Sequence, residues 1–522
     1  MRISTSQFYN TNAANYQRSF SNAVKTQQEA SDNIRVRTAA DDPVGAARLL
    51  QLEQQQNMLK QYSSNVTNVR NSLGTAETTL NSIGTLLQRV NELAVSSGNG
   101  AFTDADRKAN ADELASLETQ LYTLMNSKDE SGKFLFSGSK GDTQPYVHNA
   151  DGSYSYQGDQ NSLMLQVGDM ISLAANESGY DAFEQAINTS RSQTTLTNPA
   201  VDDGRVSLSN GQVSGSAAFN DRFRSGEPYT VEFTSSSQCK ITDVDGNDMT
   251  LEASEGGKFN PKSESPSVSF RGVDLRLTIN FKDGDSADPD AAIAGHTFTL
   301  SAKPDAIAGT RSAGNSSSAQ VTGAQIADQE KYLSTFPGGG AVLKFTSASQ
   351  FELYASPVTD DSRPVAKGSL SGTTATAAGV SFELSDTPAS GDQFAIKVDT
   401  HQNQNVLDTI SQLRTALNTP VDHDAASRRE FLASLDSAIG NIASATDQVT
   451  TSLASIGGRG QALDVQTETN VALSTENSKT QSSIRESDPA EVMLRLQMQN
   501  NMLQASLQSY AKIATLSLIN YI

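Results

Sequence analysis

One seam in this chain never slips. Leu59, Tyr62, Val66, Val69, Leu73, Ala76, Leu80, Ile83, Leu87, Val90 and Ala94 follow one another at alternating steps of three and four. An α-helix returns such positions to one narrow face, and a sustained alternation is the heptad signature of a helix that buries a stripe against partner helices. A helix from Val44 to Val95 would be about 75 Å long at roughly 1.5 Å per residue, whereas an average helix has about 11 or 12 residues. A compact single globule cannot house such a rod.

The same texture recurs toward both ends. Ala13, Tyr16, Phe20, Ala23, Gln27, Ala30 and Ile34 form an earlier seam, interrupted once by the polar Gln27. After the second helix, Thr103 to Asp106 offers an N-cap for a third, with Leu114, Leu117, Leu121 and Leu124 on one face and Asn126 near its end. This third helix is expected to fold back on the second. Late in the chain, Val406, Ile410, Leu413 and Leu417 mark a short helix, and Phe431, Leu435, Ala438, Ile442, Ala445, Val449, Ser452 and Ile456 a longer one. Gly457, Gly458 and Gly460 are then expected to loosen or interrupt the helix, because helical glycine costs up to ~1 kcal/mol relative to alanine. The last helix is predicted to open at Asp488 and Pro489, a cap followed by proline at the first helical position. Its stripe is Met493, Leu496, Asn500, Leu503, Leu507, Tyr510, Ala514, Ser517 and Tyr521.

Between about Phe134 and Asp399 the helical period mostly vanishes. Short alternating runs such as YTVEF, LRLTINF, HTFTLSA, VSFEL and QFAIKV are separated by DG, NG, SG and GG turn signals, the pattern of small β domains. The stretch AKPDAIAGTRSAGNSSSAQ, residues 302–320, reads as a linker or surface loop between two β modules. The fold class expected is α+β: a long antiparallel coiled-coil helical bundle built from both chain ends, with inserted mainly-β outer domains. The expected divisions are an N-terminal assembly segment (1–43), the N-terminal part of the helical rod (44–140), a β-rich outer region (141–305), a second β-rich region (306–400), the C-terminal part of the rod (401–487) and a C-terminal assembly helix (488–522).

Composition narrows the functions open to such a molecule. A net charge of -20 and a pI near 4.6 oppose a phosphate-binding surface, which depends on clustered Lys and Arg, so no nucleic-acid partner is expected. No stretch approaches the ~18 to 20 consecutive apolar residues of a membrane span, and the start MRISTSQFYN lacks the basic and apolar regions of a cleaved signal. Membrane insertion and classical secretion are therefore not expected. The lone Cys239 is read as a small apolar side chain in a strand, and His148, His296, His401 and His423 are too scattered to suggest a metal site. The acidic run from Asp283 to Asp290 lacks the spacing and closing Glu of a calcium loop and reads as a solvated turn. The GGRG run at Gly457 to Gly460 has no preceding strand and no following Lys-Ser/Thr, and no nucleophile elbow can be proposed. Neither a cofactor nor a catalytic residue is expected, and the chain is not read as an enzyme.

Several motifs together resemble the flagellin superfamily. The segment from Asn33 to Ala47, NIRVRTAADDPVGAA, carries a polar, basic stretch into A-D-D-x-x-G-x-A. Three more segments follow in the family's order: GKFLFSG at 132–138, IGGR at 456–459 and SIRESDPAE at 483–491. Within the family, the MRIST start, the LSLINYI end at 516–522, YQGD at 156–159, GYDAF at 179–183 and GDQF at 391–394 are similar to the junction subunits between hook and filament rather than to filament flagellin. The region from about 186 to 390 departs from the family pattern as a large insertion.

The resemblance implies a structural subunit of the extracellular flagellum, a ring-forming adaptor between hook and filament. It implies as partners other copies of itself, the first hook-associated junction protein, flagellin, and a cytoplasmic export chaperone that holds the C-terminal helix before export. Long isolated helices owe much of their stability to a partner's apolar face, so residues 1–35 and 488–522 are expected to be ordered mainly by neighbouring subunits. The expected assembly interface comprises Tyr16, Phe20, Ile34, Asp41, Asp42, Leu496, Leu503, Leu507, Tyr510 and Leu518. A filament-forming flagellin of the same fold is the nearest alternative, and a surface adhesin whose β insertion binds glycans or host proteins is one of another class.

Overall fold

The computed structural model describes residues 2–150, 152–263, 266–359, 361–422 and 425–519. Its long helices are α1 (Arg2–Asp32), α2 (Pro43–Ser97), α3 (Asp104–Met125), α4 (Val406–Asn418), α5 (Ala425–Arg485) and α6 (Pro489–Ile519). Two compact units share them: one of Met1–Thr75, Ser162–Asn176 and Ser455–Ile522, the other of Ala76–Asn161 and Glu177–Ala454.

In the first unit the α2 seam from Leu59 to Leu73 is at most 6% exposed. The facing part of α5 runs antiparallel to it. Asn477 donates Nδ2 to the Leu52 carbonyl (3.0 Å), Gln56 donates Nε2 to Ser474 Oγ (2.7 Å), and Arg70 pairs with Asp464 (2.5 Å). A hairpin of β3 (Met164–Gly168) and β4 (Ile171–Ala174) adds to this unit; the two strands before it, β1 (Tyr146–His148) and β2 (Tyr154–Tyr156), belong to the other.

The expected break at Gly457, Gly458 and Gly460 is absent, because α5 is one helix from Ala425 to Arg485. Its seven-residue repeat runs straight through the glycines: Ile442, Val449, Ile456, Leu463, Asn470 and Asn477 share one heptad position, and none is more than 4% exposed. Three helical glycines cost about 3 kcal/mol relative to alanine. Burial of Ile456 and Leu463 on either side offsets this at about 1.5–3 kcal/mol each. Arg459 fastens the same turn by donating Nη1 to the carbonyls of Asn176 (2.8 Å) and Ala174 (3.3 Å).

In the second unit the α2 seam continues from Ala76 to Ala94 at no more than 2% exposure, and the α5 positions from Phe431 to Ser452 at no more than 5%. Thr103 and Asp106 form a full capping box at the start of α3, which satisfies orphan amide donors of the first turn. From there α3 folds back along α2, where Arg89 pairs with Glu113 (2.8 Å) and Asn110 donates Nδ2 to Ser97 Oγ (2.9 Å). Leu114, Leu117 and Leu121 are buried and Leu124 half-buried. On α4, Arg414 reaches Glu118 of α3 (3.0 Å).

The β region of this unit holds two cores. The first is built from β5 (Ser192–Asn198), β6 (Val206–Leu208), β7 (Gln212–Val213), β8 (Tyr229–Ser235), β9 (Gln238–Thr242), β10 (Ser267–Phe270), β11 (Val273–Ile279) and β12 (Thr297–Ala302). One sheet has the order β5-β12-β8-β9 and the other β10-β11-β6, with β7 also on β11. Phe223, Phe233 and Phe270 fill the space between them at 0% exposure, and Cys239 is buried in β9. The second core lies inside an eight-stranded sheet made of β13 (Ala306–Arg311), β14 (Val321–Ile326), β15 (Ala341–Phe345), β16 (Gln350–Ala355), β17 (Ala366–Ser371), β18 (Thr374–Ala377), β19 (Val380–Leu384) and β20 (Gln393–Asp399). Its order is β13-β20-β15-β16-β17-β18-β19-β14, and it curls until the two end strands meet. Gly309 allows that approach: a Cβ there would lie 2.6 Å from Val321 Cβ.

The expected linker at 302–320 is therefore largely structure. Ala306–Arg311 pairs along its whole length with β20, and Asp392 accepts a hydrogen bond from Ser316 N (2.8 Å) and another from the Ser317 hydroxyl. Small residues fill this strand because β14 lies so close, and small residues were what made it look like a linker. The acidic run at Asp283 to Asp290 is spent locally. Asp285 pairs with Arg205 (2.9 Å), Asp288 caps a short helix through Ala291 N (3.1 Å), and Asp290 accepts from Ser236 N (2.9 Å).

Candidate assembly surface

The two chain ends are joined before they pack. Arg35 N donates to the Arg485 carbonyl (2.7 Å), Ser487 N to the Asn33 carbonyl (3.1 Å), and Arg35 Nη2 to the Ile484 carbonyl (2.9 Å). The NIRVR and SIRESDP motifs, far apart in sequence, thus zip into one short antiparallel link. Ile34 belongs to this link, where it bridges Glu486, and not to the helical seam, because α1 ends at Asp32. The next motif starts α2. Asp42 Oδ1 accepts from Val44 N (3.1 Å) and Gly45 N (2.9 Å), whereas Asp41 Oδ2 accepts from Thr38 N (3.0 Å) and Oγ1 (2.9 Å). The Thr38 amide, more than any other group, holds the Asp41 carboxyl below its ordinary range.

From this link α1 and α6 run side by side and antiparallel, with Arg495 on Glu29 (2.8 Å). The covered positions on α1 are Asn12, Tyr16, Ser19, Ala23, Thr26 and Ala30, and on α6 Val492, Leu496, Gln499, Leu503 and Ser506. Both follow the three-four alternation of helices that interlock. The α1 seam is rotated from the expected one: Thr26 is buried where Gln27 was expected, and Phe20 stands 52% exposed beside Tyr16, their ring centroids 6.4 Å apart. A smaller, more polar face lets the two helices approach, and it leaves the aromatic ring outside.

The other faces of the pair are apolar and bare. Phe20 and Val24 lie on α1, and Met493, Leu494, Met498 and Met502 on α6 are all more than half exposed. Leu507 and Tyr510 are each 44% exposed. Of the expected interface residues, Tyr16, Phe20, Leu496, Leu503, Leu507 and Tyr510 share this helix pair, while Ile34, Asp41 and Asp42 serve the link and the start of α2. The side chain of Leu518, and Tyr521 further on, lie outside the described residues.

The remaining motifs converge on a knot in the second unit. Gly179 N and Tyr156 Oη both donate to the Phe136 carbonyl (2.7 and 2.9 Å), and Asp159 accepts from Ser139 N (2.7 Å). The ring of Phe136 meets that of Phe183 edge-on at 5.2 Å. Two glycines are required here: a Cβ on Gly138 would lie 2.2 Å from Asp159, and one on Gly179 would lie 2.8 Å from the Phe136 carbonyl. GKFLFSG, YQGD and GYDAF are thus the parts of one buried joint, a role that linear spacing does not reveal. Among the described residues no group of three His, Cys, Asp or Glu could hold a metal, and no helix is long and apolar enough to cross a membrane.

Residues 3–141 match the model of the bacterial flagellin N-terminal helical region. With the zipped chain ends and the motif knot, this makes the chain a member of the flagellin superfamily. Within the superfamily it is similar to flagellar hook-associated protein 3 of Salmonella typhimurium, 30% identical over 183 residues, which cover 35% of this chain and 57% of that protein. The protein of the same name from Escherichia coli is 29% identical over 184 residues, again 35% of this chain and 57% of the relative. The chain thus spans somewhat over half the length of these curated relatives. In fold it is similar to the crystal structure of flagellar hook-associated protein-3 from Legionella pneumophila, with a TM-score of 0.52 at 18% identity over 83% of this chain and 98% of that one.

Proposed function

We propose that this protein is a junction adaptor of the bacterial flagellum, a structural, non-catalytic subunit that joins hook to filament outside the cell. Its similarity to hook-associated protein 3 carries the reading. The bare apolar faces of α1 and α6 supply a physical means: each subunit offers Phe20 and Val24 on one side and the Met493 to Met502 stripe on the other. Such a heterologous pair of surfaces closes into a ring when the rotation between copies allows it. The heptads of α2 and α5 wind as an antiparallel coiled coil, which stiffens the subunit inside that ring. The ring docks on the first hook-associated junction protein and is followed by flagellin, and before export a cytoplasmic chaperone covers α6.

Changing Leu503 and Leu507 together to Asp tests the assembly role. Both would place a charge where subunit contact removes water, a penalty of several kcal/mol if dehydrated. Cells carrying the double variant should export it and fail to retain filaments on their hooks, while its β region melts as in the parent. Normal retention of filaments would remove α6 from the interface.

A further inference from the structure

The β region leaves the second unit and returns to it through a narrow neck. Ile187 bridges Asn403, Asn188 N donates to the Gln402 carbonyl (2.9 Å), and Gln404 N donates to the Ala186 carbonyl (3.1 Å). The neck rests on α5 at Asn441, which accepts from Thr189 N (2.7 Å) and donates Nδ2 to Gln404 Oε1 (3.2 Å). Contact is close because the preceding residue is Gly440, where a Cβ would lie 2.4 Å from Thr189 Oγ1. At the foot of the neck the outgoing and returning chains meet through two side chains. Asn405 caps α4 by accepting from Leu407 N (2.8 Å), and its Nδ2 donates to Glu184 Oε1 (2.6 Å).

Glu184 sits among groups that do not compensate a negative charge. Tyr146, fully buried, and Tyr156 face it from β1 and β2, and Asp408 faces it from α4. No cation is among the groups that act on it. We propose that Glu184 is a proton-operated latch: protonated, it holds the neck shut against Asn405 and Tyr146, and ionised, it favours an open neck in which water reaches the carboxylate. Burial pushes its carboxyl up to about 7, against the hydrogen bonds from Tyr146 and Asn405 and with Asp408 adding to the rise. In an open neck the group returns to the ordinary range near 4.3. The closed form therefore binds the proton more tightly. Closure is fully favoured below about pH 4, weakens by up to about tenfold per pH unit above that, and levels off above about pH 7. Acid stiffens the attachment of the β region, and neutral pH loosens it.

The test is hydrogen exchange of the Asn188 and Gln404 amides in the full chain between pH 5 and pH 8, each rate divided by that of an unstructured peptide at the same pH. Protection should fall by on the order of a hundredfold from pH 5 to pH 7 and then stay level, while amides at the centre of α2 keep theirs. Glu184→Gln should abolish the pH dependence, and Asp408→Asn should move its midpoint to lower pH. Flat protection in the parent chain, or the parental slope retained in Glu184→Gln, would overturn the latch. Should Glu184→Gln fail to fold, an unmoved midpoint in Asp408→Asn overturns it equally.

Discussion

Asn470 occupies a heptad position at which the rest of α5 places Ile, Val and Leu, and it is 1% exposed. Its Nδ2 donates to the Val167 carbonyl of β3 (2.9 Å), and its Oδ1 accepts from Gln466 Nε2 (2.9 Å). Asn470→Ala strands a buried carbonyl and a buried amide, each worth about 1–3 kcal/mol when left unpaired. Gln466 is 8% exposed and regains part of its share from water. A total loss of about 2–4 kcal/mol follows. Asn470→Leu restores apolar burial worth about 1.5–3 kcal/mol and still leaves the Val167 carbonyl without its donor, so it should be the milder change. Hydrogen exchange of the β3–β4 hairpin reads both effects where they act, and urea unfolding followed by helical circular dichroism reads them in the helices. An alanine variant within about 0.5 kcal/mol of the parent, the range of a neutral surface substitution, would refute the reasoning. So would a leucine variant less stable than the alanine one.

Three further outcomes can be checked with simple variants or reagents. Thr103→Ala should lower stability by about 1 kcal/mol through loss of the α3 capping box, and Thr103→Ser should restore most of it in thermal denaturation. Cys239, whose thiol is pushed up to about 11 by burial, should resist alkylation in the native chain at pH 8 and react at once in denaturant. Limited proteolysis should trim α1 and α6 before it cuts the α2 segment around Leu80 and Ile83, since the outer faces of the end helices are uncovered. Equal resistance would mean that the monomer alone secures its ends.

Much of the helical framework was legible because apolar periodicity is a strong signal. The α2 seam from Leu59 to Ala94 and the α5 seam from Phe431 to Ile456 are buried position for position. Past Ile456 the same heptad continues in Gln466, Asn470 and Asn477, whose amides bond buried backbone and one another, and an apolar count cannot register them. Glycine propensity misled at Gly457 to Gly460, since the burial on either side outweighs it. In the β region, composition misread Ala306–Arg311, whose small side chains answer a close neighbouring strand. Of the candidate surface, Tyr16 and Leu503 fall on helix faces that period alone can find. The in-chain roles of Ile34, Asp41 and Asp42 depend on turns and on the distant Glu486, which linear spacing does not encode.

The most direct test of the junction role is electron microscopy of isolated hooks incubated with the purified chain, with and without the first hook-associated junction protein. The account predicts a single short layer of this chain on hooks that carry that protein, none on bare hooks, and filament growth only after flagellin is added. Long polymers grown from the chain alone would contradict it and make the chain a filament flagellin.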